Sequence, residues 1–112
     1  MEAMITTTIW QEAANGVRLH LELEIASYRH YDQFMEALRH YVNKLVNEDF
    51  TKLVRILYRM DISENKLRSL LADHPNADAS VIISEMMMER EIKKVETRQR
   101  YKSSGDSEEE KW

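Results

Sequence analysis

Apolar residues recur along this chain in blocks that differ in spacing, and each spacing predicts an element. From Tyr31 to Val46, Tyr31, Phe34, Met35, Leu38, Tyr41, Val42, Leu45 and Val46 follow one another at steps of three and four and make one helical stripe. Asp32, Gln33, Glu36, Arg39, His40, Asn43 and Lys44 take the other side. The pattern predicts a helix over 29–47, with Ser27 as a candidate cap. Asn47 or Asp49 can cap a second helix, 49–60, in which Phe50, Leu53, Val54, Leu57 and Met60 face one way and Ile56 and Tyr58 widen the stripe. Asp61 followed by Glu64 is a capping pattern that opens a third helix, 62–73, carrying Leu67, Leu70 and Leu71 on one side. His74-Pro75 ends it, because proline cannot donate to the preceding turn and clashes with it.

Asn76 or Asp78 restarts a long last helix, 78–101, whose apolar pattern changes halfway. Ala79, Ile82, Ile83 and Met86 share one face, while Val81, Met88, Ile92 and Val95 lie nearly opposite. A helix apolar on two sides is either buried in a core or shared between molecules, and a chain of 112 residues has little material to cover both. Val81, Met87, Met88, Ile92 and Val95 are therefore the candidate surface of a homodimer. Met86-Met87-Met88 suits a pliable contact and suits core filling equally.

At the other end, Val17, Leu19, Leu21, Leu23 and Ile25 alternate with Arg18, His20, Glu22 and Glu24. Period two predicts a strand. The preceding Asn15-Gly16 favours a tight hairpin turn, and Ile5 to Trp10, with three threonines and an aromatic, is a plausible partner strand. Helix is the competing reading, since Leu, Glu and His are poor evidence for strand by propensity. A hairpin alone is marginal in water, so its apolar face must lie on the helices or extend into another molecule's sheet.

The expected fold is thus mainly α with a small β component (α+β): an N-terminal β-hairpin, 4–25, then a compact bundle of four helices within 28–102. Residues 1–102 make one domain, as the length suggests. Residues 103–112, polar with Glu108-Glu109-Glu110, read as a disordered acidic tail.

The net charge of -4 is distributed unevenly. Residues 1–48 carry -3, 49–102 carry +2 and 103–112 carry -3. Only the centre is mildly basic, and a nonspecific nucleic-acid binder shows a stronger positive stripe. The chain has no cysteine, which excludes thiolate chemistry and disulfides and suits a reducing compartment. With no basic and apolar leader at Met1 to Trp10 and no bilayer-length apolar run, a cytoplasmic setting is expected.

Candidate chemistry is sparse. His20, His30, His40 and His74 sit in no metal-binding motif. Asp32, Glu36 and His40, four residues apart, line up on one helix, where a solvated polar face explains them better than a divalent ion does. No Gly-x-Ser-x-Gly elbow exists, and Gly16 and Gly105 are the only glycines that could bring backbone near a phosphate. No residue is nominated as catalytic, metal-binding or cofactor-binding.

Ile56 to Leu71 resembles the helix-turn-helix family: Ile56 and Met60 on the first helix, Ile62-Ser63 in the turn, Leu67 and Leu70 on the second. The resemblance implies that Asn65, Lys66 and Arg68 meet bases and phosphates in the major groove. Leu57 stands where that family prefers a small residue, Asp61 where it prefers glycine, and Glu64 carries negative charge toward phosphate. A second stretch, Asp49 to Arg98, resembles small bacterial helical proteins of unassigned function, which implies a bacterial setting and a helical body and brings no functional residues. The expected role is a non-catalytic protein-interaction domain that self-associates through its last helix or the hairpin edge. DNA binding through residues 56–71 is the alternative.

Overall fold

The computed structural model describes residues 7–22 and 24–104, and five helices are formed among these described residues. They are α1 (Thr7–His20), α2 (Tyr31–Glu48), α3 (Phe50–Arg59), α4 (Glu64–Asp73) and α5 (Ala79–Ser104). The long α5 is the spine: α1, α2 and α4 all pack on it, and α2 also packs on α1 and α3. Phe34, Leu38, Val42, Leu53, Ile56, Met87 and Met88 meet in one buried cluster with the inner face of α1.

The N-terminal hairpin expected over 4–25 is not formed among the described residues, where Thr7–His20 is helical. Residues 4–6 and Leu23 lie outside the description. The alternating set 17, 19, 21, 23, 25 contains a series of every fourth residue, and that series decides the outcome. Val17, Leu21 and Ile25 are buried while Leu19 is 68% exposed. Upstream, Trp10, Ala13, Ala14, Val17 and Leu21 are all buried at steps of three, one, three and four, which is one helical face. Asn15-Gly16 is therefore mid-helix rather than in a turn. The helix ends where Glu22 takes a left-handed φ of 59°, and Arg18 Nε then holds the following loop by donating to the Ile25 carbonyl at 2.9 Å.

The four predicted helical segments are present, with shifted ends. Asp49 caps α3 by accepting from the Lys52 N–H. Asp61 does not cap α4; it takes a φ of 62°, and Ser63 accepts from the Lys66 N–H instead. Ser27 gives way to His30 as the cap position of α2, with no side-chain bond. Asp78 accepts from both the N–H and the hydroxyl of Ser80, and these bonds hold its carboxyl below the usual carboxylate range. α5 reaches Ser104, so the expected tail begins inside it; residues 105–112 lie outside the description.

Candidate functional site

On α3, residues Leu53, Ile56 and Met60 are buried. Phe50, Val54 and Tyr58, spaced by four, form a second line turned to solvent, with exposures of 58%, 45% and 83%. Large apolar groups in a row on a small domain are the informative kind of exposure.

The second wall of the site is α4. This helix has no buried residue; Leu67, Leu70 and Leu71 are only half-covered. Its direction is set by the left-handed turn at Asp61 and by Arg90 of α5, whose Nε donates to the Met60 carbonyl at 3.2 Å and whose Nη2 lies 3.4 Å from Asp61 Oδ2. So directed, α4 leaves a groove of about 380 Å³ against α3. Val46, Leu53, Leu57, Ile62, Ala79 and Ile83 contribute to its lining, Leu67 and Leu71 face Phe50 and Val54 across it, and Glu64 and Arg68 are its charged members. Apolar side chains make up most of this set, and the Glu64 carboxylate is paired with Arg68.

The residues expected to contact DNA all lie on α4 and are exposed. Lys66 Nζ is 4.0 Å from Glu89 Oε1, and Arg68 Nη2 is 2.6 Å from Glu64 Oε2. Each cation thus has a carboxylate beside it. The expected dimer residues are distributed differently. Met87, Met88 and Val95 are buried inside the single chain, and Val81 and Ile92 are half-buried. α5 is apolar on two sides because α1, α2 and α4 cover it from different directions.

Asp32, Glu36 and His40 are all exposed. Glu36 and His40 border a shallow basin with Glu24, Tyr41 and Lys44, and Asp32 stands outside it. Glu24 and Lys52 pair at 2.9 Å beside it, which lowers the carboxyl of Glu24 and raises the amine of Lys52. The Tyr41 hydroxyl is buried near this pair without a hydrogen bond of good geometry, and burial pushes its ionisation up. Among the described residues no group of three His, Cys, Asp or Glu is placed to hold a metal ion. No described helix is long and apolar enough to cross a membrane.

A polar cluster that the sequence did not single out lies between α1 and α5. Glu91 is buried, with Oε2 at 3.2 Å from Lys94 Nζ and 3.5 Å from His20 Nε2. Its Oε1 occupies the space where a Cβ on residue 16 would stand, so Gly16 is what lets the carboxylate in. Burial lowers the His20 pKa; the Glu91 carboxylate opposes this, and Lys94 and Arg59 add to the lowering. The cluster fills the contact between the two helices and reads as a packing device. A mid-helix glycine with a hydrophobic face on either side was its one sequence signal.

No protein-family model, curated protein or solved structure matches the chain.

Proposed function

We propose that this chain is a non-catalytic protein-interaction domain whose contact surface is the α3–α4 groove with the Phe50, Val54 and Tyr58 line. One observation carries the reading: these three side chains remain exposed beside an open apolar groove, while α1, α2 and α5 each leave a single large apolar residue exposed, Leu19, Tyr31 and Tyr101. The contact surface moves from α5, where Met87, Met88 and Val95 belong to the core, to α3. A displayed library of random peptides selected on the parent chain and counter-selected on Val54→Glu tests it. Sequences that bind the parent and lose binding to the variant are expected; a library that yields no sequence able to tell the two apart overturns the reading.

A second reading, DNA binding through α4, has one observation in its favour. Asp61 adopts a left-handed φ of 62° at the turn position where the helix-turn-helix family prefers glycine. Charge weighs against it, because α4 contains two acidic and two basic residues and both cations are paired. Retention of the parent on duplex DNA at low salt, lost in Lys66→Ala with Arg68→Ala, would promote this reading above the first.

A further inference from the structure

A second recess lies away from the groove, between α1 and the segment that leads into α2, and a half-buried cation without a counter-ion stands in it. We propose that this recess binds a small monocarboxylate, with its carboxylate held by Arg18 and its short neutral body lying along α1 toward Trp10. The proposal goes beyond the interaction reading and is independent of it.

The shape follows from the helix. Trp10, Ala14 and Arg18 succeed one another along α1 at steps of four, and Gln11 and Asn15 run beside them at the same step. Alanine in the middle of the first row leaves room that a longer side chain would fill. Ser27, Tyr28 and Phe34 complete the recess from the other side. Its volume, about 170 Å³, admits one small organic molecule rather than a peptide helix. Trp10 and Phe34, both buried in the core, give it an apolar wall suited to a short aliphatic chain.

Charge then selects the guest. Arg18 Nε donates to the Ile25 carbonyl at 2.9 Å, and Nη1 donates to Asn15 Oδ1 at 2.9 Å. Both acceptors are neutral, so the two bonds fix the guanidinium plane and leave its charge uncompensated. Arg68, Arg90 and Arg98 each have a carboxylate beside them, from Glu64, Asp61 and Glu12. Among the described residues none pairs with Arg18 in this way, Nη2 finds no acceptor, and no Asp or Glu lines the recess. A cation partly withdrawn from water without a counter-ion is costly, and an anion in the recess removes that cost.

A carboxylate fits better than a phosphate. One guanidinium balances one negative charge, and no second cation lines the recess. The planar fork of arginine also matches a carboxylate. Because Asn15 accepts through Oδ1, its amide N–H groups are left to donate, and the Gln11 amide and Ser27 hydroxyl are further neutral donors. The guanidinium is held in place before the guest arrives, so little ordering opposes binding.

Titration of the isotopically labelled whole chain with sodium propionate at constant ionic strength tests the proposal, with propionamide and inorganic phosphate in parallel. The signals read are Arg18 Nε–H and the Asn15 side-chain amide. Propionate should give saturable shifts there and bind about tenfold more tightly than propionamide, the difference between charge-assisted and neutral hydrogen bonds. Phosphate should bind more weakly than propionate. Asn15→Asp places a carboxylate of the chain's own beside Arg18, keeps the bond to Ile25, and should abolish the propionate response while circular dichroism stays that of the parent. Arg18→Gln should lose the response as well; since Arg18 also holds the loop, Asn15→Asp decides the matter if that variant fails to fold. Equal responses to propionate and propionamide, or a propionate response that survives Asn15→Asp, overturn the site. Tighter binding of phosphate overturns the carboxylate assignment. Each of these outcomes leaves the α3–α4 groove to the library selection.

Discussion

Where α1 meets α5, a glycine and a buried carboxylate leave no room for even one Cβ between the helices. Where α3 meets α4, large apolar side chains border a groove that neither helix closes. Both places are helix pairs, yet they answer different requirements. The first brings a charged group into the interior and surrounds it with Lys94, His20 and the Gly16 backbone. The second leaves Phe50, Val54 and Tyr58 partly in water, although fully burying an exposed side chain such as phenylalanine is worth up to about 1.5–3 kcal/mol. The chain itself closes the first contact, whereas the second leaves apolar surface in water, and on that exposure the proposed contact surface rests.

The largest expected effect breaks the tight side. Gly16→Leu forces a side chain into the place of the Glu91 carboxylate and should destabilise the fold by about 3 kcal/mol in urea denaturation. Gly16→Ala is the finer instrument. Alanine gains about 0.5–1 kcal/mol over glycine in a helix interior, but its Cβ would overlap Glu91 Oε1 and come within 3.2 Å of Cδ. Alone, the substitution should destabilise; combined with Glu91→Ala it should recover the helical gain. A coupling of about 1–2 kcal/mol between the two sites is expected from a double-mutant cycle, and additivity would mean that the two residues do not contend for the same space.

The loose side should yield separately. Ser63→Ala removes the α4 cap, a bond from the Lys66 N–H at 3.1 Å, worth about 1 kcal/mol. Since α4 has no buried residue, amide exchange should speed up in Glu64–Asp73 while the exchange of α1, α2 and α5 and the melting temperature stay nearly unchanged. A uniform rise in exchange over all five helices would show that α4 is bound into the same cooperative unit as the core.

These two sides differ in how far they were legible in the sequence. α2 and α3 were readable because their stripes are long and continuous and Asp49 supplies a cap, so propensity, period and punctuation agree. α1 was misread because Val17 to Ile25, taken alone, satisfies period two and a spacing of four at once. Only the inclusion of Trp10, Ala13 and Ala14 separates the cases. Gly16 looked like half of a turn because a glycine's reason, here the approach of Glu91 from 75 residues downstream, is tertiary. The two-faced pattern of α5 was visible, but whether its cover comes from the same chain or another depends on where α1 packs, which was the element assigned wrongly. For the groove, the residues were legible and their exposure was not: Phe50, Val54 and Leu57 lie on the same wide stripe as Leu53 and Met60, and only the divergence of α4 leaves part of that stripe in water.

A smaller, pH-linked effect belongs again to the tight side. Burial lowers the His20 pKa in the folded chain, so the unfolded chain, titrating near 6.5, binds the proton more readily. Stability from this group is present above about pH 6.5 and declines as pH falls through that value toward the folded pKa. The melting temperature should therefore drop as pH falls below about 6.5, and His20→Asn should flatten that part of the profile. An unchanged slope in the variant would assign the acid sensitivity to other groups.

The smallest expected effect sharpens the comparison most. Tyr58 is 83% exposed on α3, and the aromatic contacts in the described residues are those of Trp10 with Tyr31 and Tyr28 with Phe34. Tyr58→Ser should therefore change the urea midpoint by no more than about 0.5 kcal/mol equivalent. A side chain of that size and apolarity that contributes almost nothing to the fold is the kind of group found at contact surfaces, where tyrosine supplies area at little entropic cost. If the substitution instead costs more than about 1.5 kcal/mol, Tyr58 packs on the chain in solution, the groove is narrower than its two walls suggest, and the line of three shrinks to Phe50 and Val54. If stability is unchanged while the selected peptides lose affinity, folding and contact are separable on this helix. Leu53, Ile56 and Met60 then serve the fold, and Phe50, Val54 and Tyr58 serve the partner.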